Sequence, residues 1–144
     1  MEKQIEFKAQ VVRELFSRIA KFEIEFQLTS FEPKDGLHWR TRVDFAVSTE
    51  GKLGFYSSRS NEVMAIDRCQ ALVEPINNLD IFERTWRGDD RVEVAATSAG
   101  QINVSRGGRT IEGQSQLLEQ VGNLNYEVSP ASFWQGHKAA PAIL

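Results

Sequence analysis

The sequence of 144 residues is poor in cysteine and histidine, on which many compact catalytic and metal sites depend. Its single cysteine, Cys69, excludes an internal disulfide and any all-cysteine metal site built from this chain alone. The two histidines, His38 and His137, lie in unrelated segments without a nearby thiol, so a nucleophilic triad has no support. The glycine pair of Arg106-Gly-Gly-Arg109 lacks the Lys-Ser/Thr ending of a phosphate loop and is typical of a turn. We therefore do not expect an enzyme that is complete within these residues.

Long apolar runs and a basic excess are also missing. Nowhere do about 18 apolar residues follow one another, and residues 1–6 carry charges where a signal peptide would be apolar. We therefore expect a cytoplasmic protein that does not enter a membrane. The 17 lysines and arginines are outnumbered by 20 aspartates and glutamates, whereas a domain that binds nucleic acid through phosphates usually carries a basic excess. Composition by itself does not indicate RNA, although several arginines are grouped in sequence.

The apolar pattern predicts a helix followed by strands. Between Lys3 and Lys21, apolar residues recur every three or four positions, as in an amphipathic helix: Ile5, Ala9, Val12, Phe16 and Ile19. From Glu23 the period changes to two, because Ile24, Phe26 and Leu28 alternate with polar residues, and this predicts a strand. A second strand is predicted over residues 39–47, where Val43 and Phe45 face the core and Arg40 and Arg42 lie on the polar face.

Further strands are predicted over residues 53–57, 62–66, 91–97, 101–105, 117–121 and 124–128, the last two joined by Gly122-Asn123. A short helix is predicted within 72–86, a loop at Gly107-Gly108 and over 112–116, and the start of a helix over 138–144. The expected fold class is α+β, with one N-terminal amphipathic helix packed on an antiparallel sheet of about six to eight strands.

Three segments carry a family resemblance. Residues 37–45 read Leu-His-Trp-Arg-Thr-Arg-Val-Asp-Phe, an aromatic-Arg-x-Arg strand; residues 53–69 begin with Leu-Gly-Phe and end with Ile-Asp-Arg-Cys; residues 126–137 read Tyr-Glu-Val-Ser-Pro-Ala-Ser-Phe-Trp-Gln-Gly-His. In this order they resemble motifs of the S-adenosylmethionine-dependent RNA uracil-C5 methyltransferases, which modify rRNA and tRNA. The resemblance implies that residues 1–128 are the central domain of such an enzyme and that 129–144 connect it to a C-terminal methyltransferase domain outside this chain.

The resemblance also implies roles for individual residues. Phe133 and Gln135 match a Phe-x-Gln-x-(Asn/His) segment that lines the pocket for the target base and for S-adenosylmethionine. Cys69 matches the fourth thiolate ligand of a four-iron four-sulfur cluster found in several members, whose other three cysteines lie upstream of the position matching Met1. The family's catalytic cysteine, base and glycine-rich cofactor loop belong to the C-terminal domain. We assign no catalytic residue here and expect the isolated chain to be inactive.

Other interpretations stay open from the residues alone. Arg40 and Arg42 are our candidates for RNA phosphate contacts, and the alternative is that they belong to a solvated sheet face. Cys69 is otherwise a small buried hydrophobe, and Phe133 is otherwise a packing residue. For function, the resemblance implies a part of an RNA methyltransferase that positions rRNA or tRNA for methylation of a uridine. The alternative is a stand-alone module that binds a small ligand or dimerises and has no role with RNA.

Overall fold

In a computed structural model of the protein, the structure describes residues 2–30, 33, 35–87 and 90–144. They form two compact units, Met1–Gly36 and Leu37–Leu144. The predicted order of elements, a helix first and an antiparallel sheet after it, is observed, so the α+β class is confirmed. Residues 129–144 belong to the second unit, and their predicted continuation into a further domain stays a prediction.

The first unit is built on the predicted amphipathic helix. Helix α1 spans Glu2–Leu15 and continues as a π-helical turn over Phe16–Ala20. It ends at Lys21, whose backbone adopts the left-handed conformation with φ of 61°. Among the described residues no helix is both long and apolar enough to cross a lipid bilayer.

The strand predicted from Glu23 to Thr29 is wrong, because the structure assigns no strand there. The aromatic side chains of this segment contact the helix instead of a neighbouring strand. Phe22 packs edge-on against Phe16 with ring centroids 5.4 Å apart. The guanidinium of Arg13 lies 5.3 Å from the centre of the Phe26 ring. The alternation of apolar residues thus reflects local packing on α1 rather than a hydrogen-bonded ladder.

The second unit contains a six-stranded antiparallel sheet of strand order β3-β2-β1-β4-β5-β6 and a two-stranded sheet, β7-β8. The strands are β1 Arg42–Val47, β2 Leu53–Tyr56, β3 Val63–Ala65, β4 Arg91–Ala96, β5 Ile102–Arg106, β6 Arg109–Gly113, β7 Leu117–Val121 and β8 Leu124–Val128. Seven of the eight lie within or beside the predicted segments. The β7-β8 hairpin turns through Gly122-Asn123, with Val121 opposite Leu124, as the two-residue turn signal predicted.

The loop predicted around Gly107-Gly108 is in part a strand, β6. Gly107 and Gly108 have φ of 57° and 75°, which glycine adopts without strain, and they form a tight turn that pairs Arg106 with Arg109. Strand β6 is an edge strand with mostly exposed side chains, so its sequence has no apolar alternation to reveal it. A register shift between Val104 and Ser105 bends the sheet at this edge.

One face of the sheet forms the hydrophobic core. Val43, Phe45, Val92 and Val94 point to this face and are almost fully buried. The segment that covers them contains helix α2, Glu74–Asn77, and a 3₁₀ turn, Asp80–Phe82, in the region where a short helix was predicted. Each large side chain buried here contributes about 1.5–3 kcal/mol to folding. Helix α3, Ala140–Ile143, lies within the predicted C-terminal helix but is shorter.

The opposite face of the same sheet is polar. Cross-strand pairing places Arg42 beside Ala95, Asp44 beside Glu93, and Glu93 beside Ser105 on this face. Asn103 pairs with Ala95 and is only 1% exposed, although its side chain is an amide. Because buried polar groups require partners, this face needs either internal hydrogen bonds or a bound molecule.

Candidate functional site

The C-terminal segment, residues 129–144, is fastened to the residues that lead into β1. The N–H of Thr41 donates to the carbonyl of Gly136 at 2.8 Å, and the N–H of Lys138 donates to the carbonyl of Trp39 at 2.9 Å. The rings of Trp39 and His137 stack with centroids 5.3 Å apart and planes inclined by 17°. These contacts fix the segment that contains the predicted Phe133 and Gln135.

Arg42 holds the beginning of the same segment. Its Nη1 donates to the carbonyl oxygens of Pro130, at 3.2 Å, and Ser132, at 3.0 Å. Its Nη2 lies 3.8 Å from Oε1 of Glu119, a buried carboxylate whose Oε2 accepts hydrogen bonds from the N–H and hydroxyl of Ser98. Burial lowers the pKa of Arg42, and the charge of Glu119 partly opposes this effect. The Arg42 side chain is only 14% exposed, so it is mainly an internal clamp.

The polar face of the sheet and the C-terminal segment enclose a cavity of about 550 Å³, here called the sheet-face cavity. Its floor is formed by the sheet residues Arg42, Asp44, Glu93, Asn103 and Ser105, and its rim includes Arg40 and residues 129–134. Nε and Nη2 of Arg42 and Oε2 of Glu93 are buried and make no hydrogen bond.

A second cavity of about 440 Å³, here called the C-terminal cavity, shares Trp134 with the first and is lined by His38, Glu74, Glu119, Gln135, His137 and Lys138 among others. Nδ1 of His137 accepts the N–H of Ala139 at 3.2 Å, which assigns the proton of the neutral ring to Nε2. Burial, and next the positive charge of Lys138, lower the pKa of His137. His38 lies with Nδ1 3.4 Å from Oε1 of Glu74 and has a left-handed backbone with φ of 50°.

The structure distributes the predicted site residues over these two cavities. Phe133 is 84% exposed and lines the sheet-face cavity together with Arg40 and Arg42, whereas Gln135 lines the C-terminal cavity. Trp134 lies between them, lines both, and packs against Tyr126 at a centroid distance of 5.6 Å. Arg40 is exposed, and its Nε donates to the carbonyl of Arg42. Arg40, Arg42 and Phe133 are thus brought together, with Gln135 in the neighbouring cavity.

Cys69 lies apart from both cavities, partly buried beside the hydrophobic core. Its backbone N–H donates to Oδ1 of Asn77, and its carbonyl accepts from Nδ2 of the same residue. In the part of the chain that the structure describes, no group of three or more His, Cys, Asp or Glu side chains could hold a metal ion. The role of Cys69 as a cluster ligand in a longer protein stays a prediction.

Sequence reasoning missed four polar residues that line the two cavities: Asn103, Ser105 and Glu119, which are buried, and Glu93, which is half-buried. A signal was present, because Glu93 stands between Val92 and Val94 and Asn103 stands between Ile102 and Val104. Alternation with buried apolar residues places both on one face of neighbouring strands. It does not show that this face is enclosed by residues 129–134, which lie far along the chain.

The chain is similar in sequence to RNA methyltransferases, although no family model matches it. An uncharacterized RNA methyltransferase of Corynebacterium glutamicum is 33% identical over 96% of this chain and 37% of its own length. An uncharacterized RNA methyltransferase of Streptomyces coelicolor is 30% identical over 74% of this chain and 30% of its own length. The chain therefore spans little more than a third of the length of the curated relatives that it matches. The resemblance to RNA methyltransferases that the motifs carry is confirmed.

A solved structure has the same fold. The tRNA (uracil-54, C5)-methyltransferase of Pyrococcus abyssi, in complex with S-adenosyl-L-homocysteine, superposes with a TM-score of 0.68 at 18% sequence identity. The match covers 99% of this chain and 46% of that protein. At this identity the comparison establishes the shared fold alone, and the similarity to RNA methyltransferases rests on the relatives above.

Proposed function

We propose that this chain is the RNA-positioning part of an S-adenosylmethionine-dependent methyltransferase that methylates C5 of a uridine in rRNA or tRNA. The names of the curated relatives support the reaction class, and the fold shared with a tRNA uracil-C5 methyltransferase supports the target atom. The chemistry itself belongs to the whole protein, of which residues 1–144 would supply one wall of the site.

The observation that carries the proposal is the exposed ring of Phe133. Large aromatic side chains usually bury most of their surface, yet Phe133 is 84% exposed on a segment that Arg42 and Gly136 fasten to the sheet. A fixed, exposed aromatic ring suits stacking with a base that has left the RNA helix. Gln135, two residues later, would present an amide to the edge of the target base or to the cofactor.

The two predicted arginines take different parts in this proposal. Arg40 is exposed at the rim of the sheet-face cavity and is free to meet a phosphate. Arg42 already donates to two backbone carbonyls and lies beside Glu119, so its part is to position residues 130–132. A phosphate contact from Arg40 would add affinity without sequence preference.

S-adenosylmethionine would be held mainly by the C-terminal methyltransferase domain of the longer protein to which we propose that this chain belongs. Of the described residues, Gln135 offers an amide that fits a polar contact with the cofactor at the C-terminal cavity. The sequence has no Gly-x-Gly-x-x-Gly loop of the kind that binds a cofactor at a helix N-terminus. When bound, the cofactor supplies the methyl group. An iron–sulfur cluster in the longer protein would need thiolates in addition to that of Cys69.

A salt-dependent RNA-binding titration tests the proposal. The 144-residue chain should bind single-stranded RNA weakly at low salt, and Arg40→Gln should reduce the slope of log affinity against log salt by about 0.7. Phe133→Ala should weaken binding roughly 5- to 100-fold, as expected for loss of one stacked base. Arg59→Gln is the matched control, because Arg59 is exposed in the β2-β3 turn and lines neither cavity.

Identical titrations for the wild type and Arg40→Gln would end the role of Arg40 with phosphates. Absence of RNA binding even at low salt would overturn the proposal and favour the alternative, a ligand-binding or dimerisation module. Size-exclusion chromatography of the same samples would then separate these two possibilities.

A further inference from the structure

The hairpin between β5 and β6 ends in two arginines that stand directly opposite each other. Arg106, the last residue of β5, is the cross-strand partner of Arg109, the first residue of β6, so both side chains leave the same face of the hairpin. Like charges in this position destabilise a pair of strands. An anion held by both guanidinium groups would turn this repulsion into attraction.

The carboxylates of the protein leave this pair of arginines open to a ligand. In the part of the chain that the structure describes, the guanidinium of Arg109 has no ion-pair or hydrogen-bond partner. Arg106 has Asp90 beside it, with 3.7 Å between Nη1 and Oδ2, but this oxygen already accepts the backbone N–H of Arg87 at 3.1 Å. Arg106 and Arg109 are both exposed. A phosphate in solvent can therefore reach both of them.

The turn between the two arginines carries no side chain. Gly107 and Gly108 have φ of 57° and 75°, and no atom lies within 4 Å of the place where either residue would carry a Cβ atom. The first position of such a two-residue turn also accepts asparagine or aspartate, so the backbone conformation alone does not require glycine at 107. Two glycines leave the backbone of the turn bare, which suits the close approach of another molecule.

The turn is continuous with the surface to which the proposed function assigns RNA. Gly108 lines the sheet-face cavity, which Arg40 and Phe133 also line. Ser105 lines this cavity too, and the alternation along β5 directs the next side chain, that of Arg106, to the other face of the sheet. A strand of RNA that leaves the cavity at this edge would thus cross the bare turn before it meets the two arginines.

The distribution of charge determines which part of an RNA binds at the hairpin. The floor of the cavity carries the carboxylates of Asp44 and Glu93, which repel phosphate groups. The arginines lie at its edges instead, with Arg40 at the rim and Arg106 and Arg109 beyond the bare turn. A guanidinium group binds a phosphate through two parallel hydrogen bonds. The hairpin therefore suits the sugar-phosphate backbone rather than a base.

We propose that the β5-β6 hairpin is a second RNA site, in which Arg106 and Arg109 bind phosphates of the strand that flanks the base stacked on Phe133. This inference rests on the proposed function, because one RNA strand occupies both places. Gly107 and Gly108 let the sugar-phosphate backbone pass over the turn. The two contacts add affinity and fix the register of the strand, and they do not read its sequence.

The salt dependence of RNA binding tests the hairpin site. Arg106→Gln and Arg109→Gln should each reduce the slope of log affinity against log salt by about 0.7, the value for one phosphate contact on a single strand. Arg59→Gln removes one exposed arginine from the β2-β3 turn and should leave the slope unchanged. The double variant Arg106→Lys/Arg109→Lys keeps both charges, so it should keep the slope of the wild type. All of these positions are exposed, and thermal unfolding of each variant checks that the fold is retained.

The length of the RNA separates the hairpin from the site at Phe133. Single-stranded RNAs of about 4 and about 16 nucleotides span the usual sizes of single-strand sites. The short RNA engages Phe133 alone, so the double variant Arg106→Gln/Arg109→Gln should bind it as the wild type does. The long RNA reaches both places, and the affinity that the wild type gains with length should be lost in this variant.

The possible outcomes distinguish this inference from the proposed function. Slopes and length dependence equal to those of the wild type, in both glutamine variants, overturn the hairpin site; the RNA-positioning role stands as long as Phe133→Ala still weakens binding. A reduced slope in the hairpin variants, with no effect of Phe133→Ala or Arg40→Gln, supports phosphate binding at the hairpin and overturns the role of Phe133. Absence of RNA binding by the wild type even at low salt overturns both.

Discussion

The guanidinium of Arg42 donates a 3.0 Å hydrogen bond to the carbonyl of Ser132, which lies 90 residues further along the chain. The same nitrogen donates to the carbonyl of Pro130. One side chain at the start of β1 thus helps to hold the segment before Phe133 in place. Because residues 129–134 line the sheet-face cavity, the clamp also contributes to the shape of this cavity.

Loss of the Arg42 clamp should destabilise the protein. Arg42→Ala removes two charge-assisted hydrogen bonds and leaves the buried Glu119 without its cation, so we expect a loss of about 2–4 kcal/mol. Arg40→Ala should cost less than about 0.5 kcal/mol, because Arg40 is exposed. Urea unfolding of both variants measures the difference. Equal stabilities would show that Arg42 does not anchor the segment.

Replacement of Gly113, at the end of the edge strand β6, by a residue with a side chain should destabilise the protein. Gly113 has φ of 79°, and a Cβ atom there would overlap the carbonyl of Ile102 on β5. Gly113→Ala should therefore cost more than the roughly 1–2 kcal/mol of left-handed strain alone. Gly107→Ala is the matched control, because Gly107 has φ of 57° with open space around it. Chemical unfolding should rank the control as clearly more stable, and the reverse order would contradict the packing at β6.

The sequence predicted those elements whose side chains divide cleanly between the core and the solvent. In β1, Val43 and Phe45 alternate with Arg42 and Asp44, and both apolar side chains are buried. Prediction failed where the same pattern had another cause. At Phe26 the apolar alternation serves contacts with α1, and in β6 both faces are exposed, so the strand has no apolar signal.

The site was predicted in part for a similar reason. Phe133 and Gln135 lie two positions apart in the sequence, and a short motif was enough to single them out. The placement of Arg42 and Glu93 on one face of the sheet depends on the register between β1 and β4, and the burial of Glu119 depends on the position of the β7-β8 hairpin. Neither is encoded in local spacing. Arg42 was predicted to face a phosphate, and its observed hydrogen bonds go to residues 130 and 132.

The isolated chain should neither bind S-adenosylmethionine nor transfer its methyl group. The sequence contains no Gly-x-Gly-x-x-Gly cofactor loop, and its single cysteine matches a cluster ligand rather than a catalytic thiol. Isothermal titration calorimetry of the 144-residue chain should give no specific heat with the cofactor. Saturable binding at one site would show that the C-terminal cavity, with Gln135, holds the cofactor without a further domain.

Purified chain should contain no iron. A four-iron four-sulfur cluster usually needs four thiolates, and Cys69 is the single cysteine of the sequence. Anaerobic reconstitution with iron and sulfide, followed by metal analysis, should leave the protein without stoichiometric iron, and Cys69→Ser should behave in the same way. Stoichiometric iron and sulfide that disappear in Cys69→Ser would require ligation between chains.

His137 should make stability depend on pH on the acid side of neutrality. Burial and the charge of Lys138 lower its pKa in the folded protein, so the unfolded chain binds the proton more readily. The free energy of unfolding should therefore rise with pH up to about pH 6.5, the ordinary pKa of histidine, and fall as His137 is protonated below it.

His137→Asn keeps an acceptor for the N–H of Ala139 and cannot titrate, so it should flatten this slope. His38→Asn, at a left-handed position that asparagine tolerates, should keep it. Urea midpoints measured for the three proteins between about pH 5.5 and 7.5, above most carboxylate titrations, decide the matter. A slope in His137→Asn equal to that of the wild type would mean that the stacked ring against Trp39 carries no pH-dependent stability.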